Sequence, residues 1–157
     1  MANNMRWRYG DTNPVTLPVA TDEAIDIGDL VYVASGAAVP ASGLADTTTK
    51  EGNQEAFHDA FVGVAMQCSP EGSTDPIRIA TSGVFEFDSV SATYAVGALI
   101  GVDENGSGTQ LEPQVVAEVA TANLAIGRCA KAVDAAATRV LVDVVSTVLK
   151  GGPQAAA

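Results

Sequence analysis

His58 is the only histidine in the chain, and Glu55 and Asp59 flank it. A serine hydrolase needs an imidazole base held by a carboxylate, so any such chemistry would be built on these residues. Their context opposes it. They sit close together in sequence on a polar stretch, and no Gly-x-Ser-x-Gly elbow occurs anywhere. His58 therefore reads as a solvated loop histidine. A zinc site would require His58, Cys68 and Cys129 to converge with a fourth ligand, yet no Cys-x-x-Cys pair is present. Calcium has a closer mimic. Asp103, Asn105, Ser107 and Thr109 place side-chain oxygens at alternate positions with Gly108 sixth, as in the first half of an EF-hand loop. The closing glutamate is missing, because position 114 is Gln, and an Asn-Gly hairpin turn accounts for the same residues.

None of Lys50, Lys131 or Lys150 follows a glycine-rich loop of the phosphate-cradling kind. A Ser–Lys dyad is a matter of geometry, and no residue pattern favours one. The carboxylate pairs Asp22/Glu23, Asp26/Asp29 and Glu86/Asp88 suit solvated turns and strand edges, where charge also blocks unwanted sheet pairing. The expectation is a protein without catalytic residues, metal or cofactor.

Composition bounds what remains. A chain of 157 residues fits one domain with a real core. Aromatics are only 5% against 47% apolar residues, so the core is built largely of Ala and Val, which suits small sheets and barrels. Charged residues reach 17%, below the roughly 25% of an ordinary soluble domain, as expected where partners cover surface. The net charge of −11 is uneven. Residues 1–8 carry Arg6 and Arg8 and no acid, while residues 9–127 set Lys50 and Arg78 against seventeen acids. An acidic body repels phosphate backbones, so nucleic acid is not expected as a partner. The start MANNMRWRYG has no apolar run after its bases, so no export signal is expected, and Cys68 and Cys129 are expected as reduced thiols. No stretch approaches the about 18–20 apolar residues of a membrane helix, so no membrane is expected as a partner.

The elements that would position any site are mainly strands. Residues 1–20, with Pro14 and Pro18, read as an extended N-terminal arm that is either disordered or laid across another surface. Residues 21–149 read as the β-rich domain. Leu30–Val33, Phe61–Gln67, Ile77–Thr81, Val84–Phe87, Ile126–Val133 and Thr138–Val148 carry strand patterns. In the second, Val62, Val64 and Met66 are expected on one face; in the last, Val140, Val142, Val144 and Val148 are. Gly83 sits where a bend would turn a barrel corner. Residues 34–56 read as a surface loop or insertion, residues 113–123 as either weak helix or strand, and 150–157 as a short flexible tail. The class is mainly β, a small β-barrel or β-sandwich.

Six of these segments, in order, resemble the phage capsid cement (decoration) protein family. They are Ile25–Val33 (IDIGDLVYV), Phe61–Ala65 (FVGVA), Ile79–Phe87 (IATSGVFEF), Val96–Asp103 (VGALIGVD), Ile126–Ala130 (IGRCA) and Val140–Val144 (VLVDV). Leu99–Ile100 departs from the family's more polar or aromatic strand, and the Thr-rich stretch 44–56 resembles an insertion. The resemblance implies a virion protein on the outer surface of an icosahedral head, made in the host cytoplasm. It also implies the major capsid protein and neighbouring copies, as homotrimer or homodimer, as partners. It transfers no catalytic residue. Within the arm, Trp7 and Tyr9 are expected to anchor on the capsid, with Arg6 and Arg8 pairing to its acidic groups. The rival readings are a head fibre or host-surface module on the same core, recognising through 34–56, and a small β-barrel hydrolase.

Overall fold

The computed structural model describes residues 3–155, so residues 1–2 of the arm and 156–157 of the tail lie outside the described residues. The extended start is laid across the chain's own sheets. It forms β1 (Trp7–Tyr9) and β2 (Val15–Leu17), and each supplies backbone partners to a different sheet edge. The following strands are β3 (Leu30–Ala34), β4 (Ala37–Pro40), β5 (Phe61–Ala65), β6 (Ile77–Ala80), β7 (Ser82–Tyr94), β8 (Leu99–Glu104), β9 (Leu111–Glu118), β10 (Gly127–Cys129) and β11 (Val133–Val145). Helix α1 (Lys50–Ala60) precedes β5, and a single turn, α2 (Thr147–Lys150), follows β11. The chain is mainly β, with 46% strand against 14% helix.

One sheet has the order β1-β7-β11-β10-β8-β9, and a parallel pairing of Asp88–Ser89 with Val115–Val116 joins β7 back to β9. Those five strands therefore close into a barrel, with β1 attached outside the ring. The ambiguous stretch after Pro113 is resolved as strand up to Glu118, because β9 supplies that closure. The second sheet has the order β2-β6-β5-β3-β4. Its two ends approach through a parallel bridge between Val19 and Ala38. The chain passes between the sheets at Thr81–Gly83, where Gly83 has φ +113°, a conformation open to glycine and strained for other residues.

Two apolar clusters follow from this arrangement. The larger fills the barrel and its contact with the second sheet, with Phe85, Phe87, Ile100, Val116, Val142 and Val144 meeting Leu30, Phe61 and Val64. The smaller lies within the second sheet, around Val31, Val62, Ile77 and Ile79. Strand β5 is buried along its whole length, so the expectation of one apolar face fails there. Leu30 opposes Val64, Val31 opposes Gly63 and Tyr32 opposes Phe61, which leaves Val62 as the extra residue of a bulge. Val62 thus joins the smaller cluster while Phe61 and Val64 join the larger. The expected final strand also ends early. Val148 is on α2 and 44% exposed, because Ser146 caps that turn by accepting from the Leu149 amide.

The stretch 34–56 is not a loop. It contains the turn after β3, strand β4, a 3-10 turn at Ala41–Gly43 and the start of α1. Thr49 caps α1 by accepting from the Gly52 amide, and Glu51 lies in the first turn. The face that α1 buries is largely polar, which removes the apolar period that marks a helix in sequence. Gln54 Nε2 donates to the Val102 carbonyl at 2.8 Å, and Asn53 Nδ2 donates to Asp46 and Glu104, both at 3.1 Å. Phe57 alone supplies a large apolar anchor, packed between Tyr32 and Phe61 with ring centroids 5.8 and 5.5 Å away. At the other terminus Gly152 and Pro153 are buried, so that part of the tail packs instead of fraying. The Gly152 amide donates to the Ser146 carbonyl and Arg128 donates to that of Gln154.

Candidate binding surface

The four residues Arg6, Trp7, Arg8 and Tyr9 lie on or beside an edge strand, and the structure divides them by role. Strand β1 pairs antiparallel with β7, with Trp7 opposite Phe85 and Tyr9 opposite Val84. Two residues on β1 thus match one step on β7, a bulge that breaks simple alternation and lets consecutive side chains be re-aimed. Trp7 and Tyr9 remain 46% and 53% exposed. The Trp7 indole donates to the Gly10 carbonyl at 3.0 Å, which limits its motion without covering its ring.

The arginines are engaged within the chain. Arg6 is buried and grips Asp88 with both terminal nitrogens, at 3.0 and 3.3 Å, the forked geometry in which an arginine–carboxylate pair is strongest. Arg8 donates to Glu86 at 3.0 Å. From β11, Arg139 reaches both carboxylates, 3.3 Å to Glu86 and 3.5 Å to Asp88. The result is a charge ladder across three neighbouring strands, running Arg6, Asp88, Arg139, Glu86, Arg8. The sequence assigned Glu86 and Asp88 to a solvated turn or strand edge but could not supply their partners, which are up to 82 positions away. Beside the ladder, a cleft of about 250 Å³ lies between residues 131–133 and 139–141, lined by Glu86, Lys131 and Arg139.

The residues with chemical potential are dispersed. His58 is on α1, with Nδ1 2.6 Å from the Ala125 carbonyl oxygen. That oxygen can only accept, so Nδ1 carries the hydrogen and is committed to the backbone. Neighbouring Glu55 accepts from Asn123 Nδ2 at 3.1 Å. Cys68 is exposed and Cys129 buried, and both are free thiols; burial pushes the Cys129 thiol up from its usual range. The calcium-like run forms the β8–β9 hairpin turn. Asn105 Oδ1 accepts from Ser107 Oγ and the Thr109 amide, while Asp103 pairs with the Lys50 ammonium. Among the described residues no group of three or more His, Cys, Asp or Glu converges as a metal site would require.

Three carboxyl groups are held above their usual range. Asp29 is raised chiefly by burial, against hydrogen bonds from the Asp26 amide and Gln114. Glu23 is raised by burial and then by the charges of Asp22 and Glu71. Asp143 on β11 is raised by burial. Among the described residues no helix is long and apolar enough to cross a membrane. Among the exposed features of the described residues are an aromatic edge at Trp7 and Tyr9 and a charged barrel face around Glu86, Asp88 and Arg139.

No curated protein matches the chain. The sequence profile of the phage cement protein family does, across residues 10–144, beginning directly after Tyr9 and ending within β11. That span includes both sheets except β1, and all six segments quoted above lie inside it. A closed barrel with a second small sheet, matched over most of its length, makes this chain a member of the phage cement protein family and a structural protein of the phage capsid.

Proposed function

We propose that the protein binds the outer surface of an icosahedral phage head and bridges neighbouring capsomers, stabilising the expanded shell. Its partner in this reading is the major capsid protein, and it acts as a homotrimer or homodimer. Binding to the expanded shell and not to dissociated subunits shifts the equilibrium toward the mature head by mass action. Repetition over a symmetric lattice adds the contribution of many modest contacts.

The observation that carries the contact is the exposure of Trp7 and Tyr9 on a strand fastened by its neighbouring arginines. Large aromatics on a rigid support lose little conformational entropy when covered, which is why they dominate binding hot spots. The role first expected for Arg6 and Arg8 changes in consequence. They hold the aromatic strand in place, and their charges are already met by Asp88 and Glu86.

Purified protein mixed with expanded heads of its own phage should co-sediment at near-lattice stoichiometry. A Trp7→Ala/Tyr9→Ala variant should lose most of that binding while unfolding at the same temperature. Wild-type protein that stays in the supernatant would sink the reading. Sedimentation of the free protein at high concentration tests the oligomer, and a monomer both there and after release from heads would count against it.

A further inference from the structure

The barrel face that carries the ladder has more positive charge than its own carboxylates can meet. Arg6, Arg8 and Arg139 share only Glu86 and Asp88. Lys131 opens onto the same cleft as Arg139 and has no ion pair among the described residues. Four cations there face Glu86 and Asp88, with the exposed Asp134 beside the cleft-lining Val133 as a third carboxylate, so positive charge is still in excess. The Arg139 side chain is 63% exposed, so it can meet a further acceptor while keeping its internal ones. Elsewhere Lys50 pairs with Asp103 and Arg128 donates to the Gly97 and Gln154 carbonyls, while Arg78 on β6 and Lys150 on α2 belong to other elements. An acidic partner approaching over residues 9–127 meets seventeen acids against Lys50 and Arg78.

We infer that this face, with Lys131 and Arg139 as its contacts, docks a carboxylate-rich protein surface. Glu86 and Asp88 shape the choice of partner. They stand between the cations at 3.0–3.5 Å, so an incoming surface must offer separated carboxylates that fall on the excess charge. A duplex presents a negative charge about every 1.7 Å and would meet Glu86 and Asp88 as well as the cations. This inference rests on the capsid reading for the identity of its partner, and it makes the barrel face a second contact, chemically distinct from the aromatic edge. Charge at the rim of an interface acts mainly on association rate and salt dependence.

The test compares wild type, Lys131→Glu and Lys131→Glu/Arg139→Glu for binding to purified expanded heads at low and high salt, with duplex DNA as a parallel probe. Lys131→Glu breaks no internal pair, so it stands even if Arg139→Glu disturbs the ladder and lowers the unfolding temperature. The double variant should bind heads at least about tenfold more weakly at low salt, with most of the difference gone at high salt where steering is screened. Heads bound equally by all three, with equal salt dependence, overturn this inference and leave the capsid reading intact. Wild type that fails to bind heads overturns both. Duplex DNA bound by wild type and released by Lys131→Glu would also overturn it, by assigning the face to phosphate.

Discussion

The Asp29 carboxylate and the Gln114 amide meet at 2.8 Å where the two sheets join, with both side chains almost wholly buried. Asp29 stands just before β3 in one sheet and Gln114 lies on β9 of the barrel, so this bond links the two halves of the core. The other carboxylate oxygen accepts from the Asp26 amide at 2.9 Å. Replacing Gln114 by Ala would leave a buried carboxylate oxygen short of its donor, at a cost of about 1–3 kcal/mol. Thermal or denaturant unfolding of Gln114→Ala should show that loss. A midpoint within error of wild type would show that the bond contributes nothing net.

Burial raises the Asp29 carboxyl above its reference value of 3.8, and that sets a direction for pH dependence. A raised folded-state value means that the folded protein holds the proton more tightly than the unfolded chain. The associated stability is fully present below the unfolded value and is lost as pH rises through the folded one. Glu23 and Asp143 act in the same sense. Asp29→Asn removes the titration, so its stability should fall less than that of wild type as pH is raised from about 4 toward neutrality. Parallel curves for the two proteins across that window would refute the assignment.

The fork between Arg6 and Asp88 fastens β1 to the barrel from a largely buried arginine. Arg6→Ala should cost about 1–3 kcal/mol and release the strand, seen as faster amide exchange at residues 7–9. Trp7→Ala should stay within about 0.5 kcal/mol of wild type, because the ring is half exposed. Equal destabilisation by both substitutions would mean that the aromatic side chain holds the strand as much as the ion pair does.

Gly63 on β5 lies against the Ala80 backbone of β6. A Cβ there would sit 1.8 Å from the Ala80 carbonyl oxygen, which is backbone and cannot move aside cheaply. Gly63→Ala should destabilise by roughly 3 kcal/mol or more, at or beyond the upper range for overpacking. Soluble yield and unfolding midpoint provide the check, and a variant as stable as wild type would show that the strands can separate without penalty.

The two free thiols should separate by reactivity. Cys68 is exposed, whereas Cys129 is buried, with its thiolate disfavoured by that burial. A thiol reagent should label Cys68 in the folded protein and Cys129 only after unfolding. Simultaneous labelling of both would place Cys129 nearer the surface.

Much of the β-class was legible in the chain because strand formation leaves a local trace. The alternation of Phe85 and Phe87 with Glu86 and Asp88 survives as buried and outward positions on β7, and Gly83 does mark a corner. The ordered segments also sufficed to place the family. Helix α1 was hidden because its buried face is Asn53 and Gln54, whose burial depends on acceptors in β8 and in the segment before the helix. Thr48 and Glu51 have capping-box spacing, the one local signal, and Gly52 and Asn53 obscured it.

The residue types Arg6 to Tyr9 were visible as a basic, aromatic start, but their division was not. Nothing near position 6 in sequence announces Asp88, and nothing near position 86 announces Arg139. The sequence by itself determined which residues favour strands, which motifs are absent and which family the chain resembles, because those depend on neighbours along the chain. Barrel closure, the Asp29–Gln114 link and the charge ladder were decided only in three dimensions. Each joins residues from different strands, and the order of strands in a sheet leaves no periodic mark on the residues themselves.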